Sequence, residues 1–303
     1  MKLKPYTTAP FLAILVYFLT LCANRVIEGL DMNVNSYLLT CGGIQLLTYL
    51  LPILLYGLLF GGIAKKRMRI TLPTVKSVPA QILLGIILLL GSALISMLSI
   101  RLGFASPKES VTAGIGAPSV LVLLIFAVIP AVCEEIVFRG IIMSSFEPCG
   151  IAPAVVGTSL LFAFAHMSFE EFPVYFFASV VLCFSTYISR SLLASIVLHT
   201  VYNVSALTLG GYMSGVAAHL ESFSLLFVVM LFLLWIFVIV TLTECERVYH
   251  SYAEKNLDSS YTPKKLTPAN RLKGSAAVFF SIPFLLSVMI FIVTVVLSMQ
   301  SAV

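Results

Sequence analysis

Glu134 and Glu135 stand side by side, Arg139 follows them, and all three fall inside the apolar stretch Ser119 to Met143. An ionisable side chain near a bilayer centre costs about 2.5 to 3.5 kcal/mol on insertion scales, so it usually faces a wet cavity or a partner and marks function. Positions four apart share a helix face, while adjacent residues point about 100° apart. Glu135 therefore stacks on Arg139, and the simplest assignment makes those two an ion pair and leaves Glu134 free to face a cavity. Pro130, one helical turn before Glu134, removes an N–H, leaves the Phe126 carbonyl unpaired and favours a kink that admits water. The plainer alternative is a buried ion pair beside one protonated glutamic acid that only holds helices together.

Two further elements carry polar groups into apolar runs. His166 ends Phe162-Ala-Phe-Ala-His166, where Phe162 shares its face and can pack against the ring or against a neighbouring helix. Taken alone, such a histidine reads equally as a helix-to-helix hydrogen bond. His199-Thr-Val-Tyr-Asn203 puts an imidazole and a carboxamide on one face at i and i+4, both able to donate towards one point. A glutamate to take a proton from water, an imidazole to orient that water or share its proton, and two donors for an oxyanion are the components of amide hydrolysis. Cys133 stands beside anionic neighbours, a poor setting for a thiolate nucleophile.

The elements that must position these groups are membrane helices. Of the residues, 60% are hydrophobic and 10% charged, and the mean hydropathy is +1.07, far from the balance of a water-soluble domain. Apolar runs near the ~20 residues needed to cross a bilayer extend from Phe11 to Ala23, Tyr37 to Ala64, Val78 to Ile100 and Ser119 to Met143. Others run from Ile151 to Met167, Phe172 to Ser189, Leu192 to Leu209, Phe223 to Thr243 and Ala276 to Met299. They lack the alternation of barrel strands. The chain is thus expected to be an all-α polytopic membrane protein of about nine transmembrane helices, the first and fifth of them short.

Loop charges orient that set. Lys2, Lys4, Lys65, Lys66, Arg67, Arg69, Lys76, Arg190, Arg247, Lys255, Lys264, Lys265, Arg271 and Lys273 fall on one side, against Arg25, Arg101 and Lys108 on the other. The positive-inside rule then makes the amino terminus cytoplasmic. The net charge of +5 reflects this topology and contact with anionic lipid; no nucleic-acid motif is visible. Three parts follow: a three-helix membrane scaffold or substrate-facing wall at 1–118, a catalytic helical core at 119–209, and C-terminal helices at 210–303 with a cytoplasmic polar loop of low order at 244–274. The six cysteines show neither CxxC spacing nor disulfide density and read as packing residues.

Three motifs, in this order and on three separate helices, resemble those of the CPBP intramembrane proteases, the CAAX-processing and bacteriocin-processing endopeptidases also called the Abi family. Glu134-Glu135-Ile136-Val137-Phe138-Arg139 is similar to its EExxxR, Phe162 to His166 to its FxxxH, and His199 to Asn203 to its HxxxN. The resemblance covers roughly Ser119 to Leu209. It implies a helical core with a conical cavity open to the cytosol, in which Glu134 activates water and His166 assists. His199 and Asn203 would line the oxyanion site, and Glu135 with Arg139 would support the helix. The implied partners are a peptide or protein substrate and membrane lipid. The simple build, with short loops and no extra soluble domain, is compatible with a multi-pass enzyme of a bacterial plasma membrane, and the resemblance implies an active site open to the cytoplasm.

No HExxH is present, so no cofactor is required by motif, but a zinc site of Glu134, His166 and His199 is stereochemically possible. Two other functional classes stay open. A non-catalytic immunity or scaffold relative would need neither Glu134 nor both histidines, and an ion-coupled transporter usually shows internal repeats.

Overall fold

The computed structural model describes residues 5–29, 32–60, 68–104, 119–219, 223–254 and 266–301. Within them the chain is helical and contains no strand. Hydrocarbon offers backbone groups no partner, and helices satisfy them internally. The ten helices are α1 (Pro5–Glu28), α2 (Val34–Phe60), α3 (Val78–Arg101, entered through the short turn Val75–Ser77), α4 (Val120–Cys149) and α5 (Ile151–Ala165). They continue with α6 (Phe172–Ser189), α7 (Leu192–His219), α8 (Phe223–Glu254), α9 (Pro268–Phe279) and α10 (Ile282–Ser301).

Each apolar run read from the sequence falls on helix over its described residues, but among the described residues the number long and apolar enough to cross a membrane is lower than nine. Seven helices qualify, and the pair Pro268–Phe279 and Ile282–Ser298, bent by 51°, makes up to eight. The bend falls at Phe280 and Ser281, inside the run from Ala276 to Met299. The remaining helix, α5, has 15 residues, or ~22 Å against a hydrocarbon core of ~30 Å. The polar segment 244–274 also differs from the loop expected. Helix α8 runs through it to Glu254, supported by Arg247–Glu244 at 2.6 Å and His250–Glu254 at 3.3 Å, pairs three and four residues apart. Helix α9 begins inside it too, with Thr267 accepting the Asn270 N–H and Pro268 in the first turn. Residues 255–265 lie outside the described residues.

Helix α4 is the hub, packed against α1, α2, α5, α6 and α7, while α3 packs on α6 and α8, and α1 on α2 and α10. Val137, Phe138, Ile142 and Phe146 of α4 share a core with Tyr17 of α1 and Leu161 and Phe162 of α5. Polar cross-links hold the helices in register: Tyr17 Oη donates to the Leu161 carbonyl at 2.5 Å, and Tyr56 Oη meets Ser145 Oγ at 3.3 Å. The outer surface is apolar. Leu58, Leu59, Trp235 and Leu242 are all exposed, as is most of α8, which matches a lipid-facing rim.

Candidate active site

The glutamate pair sits in one α-helical stretch, Ile129–Glu135, with π-helical stretches on either side at Leu124–Val128 and Ile136–Met143. Pro130, where the sequence suggests a kink, follows directly on the first of these. Ile129 N–H already reaches back five residues to the Leu124 carbonyl, so the register widens just before the residue that lacks an N–H. Asn203 Nδ2 of α7 donates to the Ala127 carbonyl inside that widened stretch, at 3.4 Å. Such local departures from α-helix are frequent at functional sites.

Glu135 and Arg139 form the expected pair, with Nη1 to Oε1 at 2.8 Å, and both are fully enclosed, 0% and 1% exposed. That enclosure removes them from contact with a substrate. Arg139 also donates through Nη2 to Ser179 Oγ at 2.9 Å and to the Ser179 carbonyl at 3.2 Å, tying α4 to α6. Its guanidinium lies 4.5 Å over the Phe162 ring. Phe162 in turn meets Phe138 at 5.1 Å, His166 at 4.8 Å and His199 at 6.0 Å between centroids, so one ring buttresses the arginine and both imidazoles. The same Glu135 Oε1 lies 2.9 Å from His199 Nδ1.

A carboxylate beside a guanidinium only accepts hydrogen bonds, so His199 carries a proton on Nδ1 and turns Nε2 towards Glu134. That nitrogen lies 3.9 Å from Glu134 Oε2. His166 is held likewise: Nδ1 donates to the Phe162 carbonyl at 2.9 Å, and the ring stacks on Tyr175 at 3.7 Å. Both imidazoles are thus anchored through Nδ1 and present Nε2. Glu134, buried, has its other oxygen, Oε1, hydrogen-bonded by Tyr49 Oη at 3.3 Å.

Glu134 and His166 open onto a common cavity of about 310 Å³. Its walls include Thr20, Ala23 and Ile27 of α1, Gln45, Thr48 and Tyr49 of α2, and Phe126 of α4. The structure therefore brings Glu134, His166 and His199 together. Asn203 is on the α7 face expected but contacts Ala127, and neither it nor His199 is among the described residues that line the cavity. Sequence reasoning missed Tyr49 and Tyr175. The only signal for either was a tyrosine in an apolar helix, whose hydroxyl needs a partner. Among the described residues no three His, Cys, Asp or Glu side chains are arranged to hold a metal ion. The donor set Glu134, His166 and His199 does not fit one, and no chemical step below passes through a metal.

Fold and site together define a polytopic helical membrane protein with a buried carboxylate–imidazole centre. Residues 116–205 match the family described as type II CAAX prenyl endopeptidase, Rce1-like. The match spans all three motifs and bears out the resemblance they carry; at family level it supports a CAAX-type intramembrane endopeptidase. Comparison with curated proteins and with solved structures finds no match to the chain.

Proposed function

We propose that this protein is an intramembrane endopeptidase that hydrolyses peptide bonds of membrane-associated or hydrophobic peptides with water activated by Glu134. The observation that carries the reading is the convergence of Glu134 and His166 on one cavity, with His199 Nε2 at 3.9 Å from the same carboxylate. A carboxylate spent on an ion pair could not act as a base, and here that role falls to Glu135.

Glu134 takes one proton from a water whose oxygen attacks the carbonyl carbon, and His166 Nε2, fixed by its Nδ1 anchor, accepts a hydrogen bond from the water's other O–H and orients the attack. The carbonyl oxygen becomes an oxyanion. Asn203 has a second amide N–H to offer it, and His199, whose Nε2 faces Glu134, lines the same site. The proton held by Glu134 then passes to the departing nitrogen, the C–N bond breaks, and an acid and an amine result. Glu135, Arg139 and Phe162 keep the imidazole and the helix in place.

The test is incubation of the purified protein in liposomes with hydrophobic peptides, prenylated and unmodified, and mass analysis of the products. Cleavage at an internal bond is the expected result, and the prenylated and unmodified arms define the substrate class. A protein that keeps its fold and leaves every peptide intact contradicts the reading.

A further inference from the structure

We propose that Tyr175, clamped by Glu171, is a positioning residue for hydrolysis: it fixes the plane of the His166 ring and so the direction in which Nε2 meets the attacking water. This deepens the proteolytic reading and rests on it for the word water; the clamp itself stands on geometry alone.

His166 needs more than one anchor. The hydrogen bond from Nδ1 to the Phe162 carbonyl, at 2.9 Å, holds one edge of the imidazole and leaves the ring able to tilt about that contact. Helix α5 ends at Ala165, so no further turn of its own helix packs against the ring. The support comes from α6. Directly after His166 the chain reverses: Met167 takes the left-handed conformation at φ +50°, and its N–H donates to the Phe164 carbonyl at 3.0 Å. Helix α6 then begins at Phe172, and Tyr175 in its first turn lies back over His166, with 3.7 Å between ring centroids and 21° between planes. A near-parallel stack at that separation resists tilting of the imidazole. The Phe162 ring, 4.8 Å away and inclined by 50°, limits it further.

Tyr175 is itself held. Its hydroxyl donates to Glu171 Oε2 at 2.6 Å, the short distance of a charge-assisted bond. Glu171 is fixed in turn, because its N–H donates to Ser168 Oγ at 3.2 Å and its carbonyl accepts the Tyr175 N–H at 3.0 Å. Its carboxylate stands at the start of α6, where the helix dipole favours negative charge. Two lines of contact therefore end on His166: Glu135 through Arg139 and Phe162, and Glu171 through Tyr175. Locking a reacting side chain through neighbours that are themselves hydrogen-bonded is how an active site keeps its geometry. A phenol that donates to a carboxylate also presents an electron-rich ring face, which suits the partial positive charge of an imidazole accepting a hydrogen bond from water. Neither Glu171 nor Tyr175 is among the described residues that line the cavity, so their effect passes through His166 and not through the substrate.

The test reads the ring and the reaction separately. In protein carrying ¹⁵N-labelled histidine, with the His166 signals assigned by their loss in His166→Ala, wild type should show one tautomer with its proton on Nδ1. Tyr175→Leu, which removes the stack, should average the two ring nitrogens, and Glu171→Ala should do so in part. In liposome cleavage assays Tyr175→Leu should lower kcat about ten- to hundredfold, the cost of a misplaced reacting group, with KM within about twofold of wild type. Tyr175→Phe, which keeps the ring and loses the tether, should lose less. Neither substitution should add to the defect of His166→Ala. Glu170→Ala, at the exposed neighbouring position, is the control and should match wild type in spectrum and rate. Tyr175→Phe and Glu171→Ala, which keep the core packed, carry the same test if the leucine variant does not fold. A wild-type spectrum and kcat in the Tyr175 variants overturns the proposal, as does a loss confined to KM or one that adds fully to that of His166→Ala. Because the spectrum needs no turnover, the two failures separate: wild-type protein that leaves every peptide intact counts against the protease reading, and a His166 ring undisturbed in the Tyr175 variants counts against the clamp.

Discussion

A carboxylate that draws a proton from water needs one oxygen held and the other turned to the water, and at Glu134 the holding group is the Tyr49 hydroxyl on Oε1. Position matters steeply in such chemistry. Tyr49→Phe, which deletes one oxygen atom and keeps the ring, should lower kcat about ten- to hundredfold, the value of one hydrogen bond to a charged group. KM and the melting temperature should stay near wild type; steady-state kinetics and a thermal melt check both, and a change confined to KM would make Tyr49 a substrate contact instead. Glu135→Gln acts differently. It leaves Arg139 buried without its counter-charge, so a loss of about 3 to 5 kcal/mol of stability, read as lower yield and melting temperature, should precede any catalytic defect. Glu134, Glu135, Arg139, His166, His199 and Asn203 were legible because each is a polar group that apolar surroundings make conspicuous. Tyr49 was not, since a tyrosine in a membrane helix is ordinary and its partner lies 85 residues away in the chain. The hydrogen bond of Asn203 to Ala127 was equally hidden, because helical spacing gives the face of a side chain and not what that face meets.

At the scale of elements, helix existence could be read from hydropathy and helix detail could not. Pro130 announced a disturbance in α4, but nothing in the sequence marked the two π-helical stretches that flank the glutamates. The polar composition of 244–274 suggested low order, whereas charge pairs three and four apart carry α8 to Glu254. The short α9 is placed by one close approach. A Cβ at Gly274 would lie within contact-breaking distance of the Cys149 backbone, the carbonyl oxygen foremost, so α9 can seat on the end of α4 only with glycine there. Gly274→Val should push α9 away and lower the melting temperature by several degrees, as expected for an overpacking penalty of about 1 to 3 kcal/mol. Gly43→Ala in α2, where an added methyl meets nothing within 4 Å, is the control and should be close to neutral. Equal melting temperatures for Gly274→Val and wild type would contradict the packing described.

For the whole molecule, an apolar exterior surrounds a polar centre: α8 and the outer faces of α2 and α10 expose leucine, valine and phenylalanine, while Glu135 and Arg139 neutralise one another inside the bundle. Composition foretold that inversion; which helices wall the cavity required the fold, because it depends on how α1 and α2 stand beside α4. The functional account rests on Glu134 as the base. The most direct test is single-turnover cleavage of a susceptible hydrophobic peptide by wild type and by Glu134→Gln in the same liposomes, with folding of both confirmed by thermal melts. The account predicts a rate lower by about 10²- to 10⁴-fold in the variant, the usual contribution of a positioned general base. Cleavage by folded Glu134→Gln at the wild-type rate would contradict it.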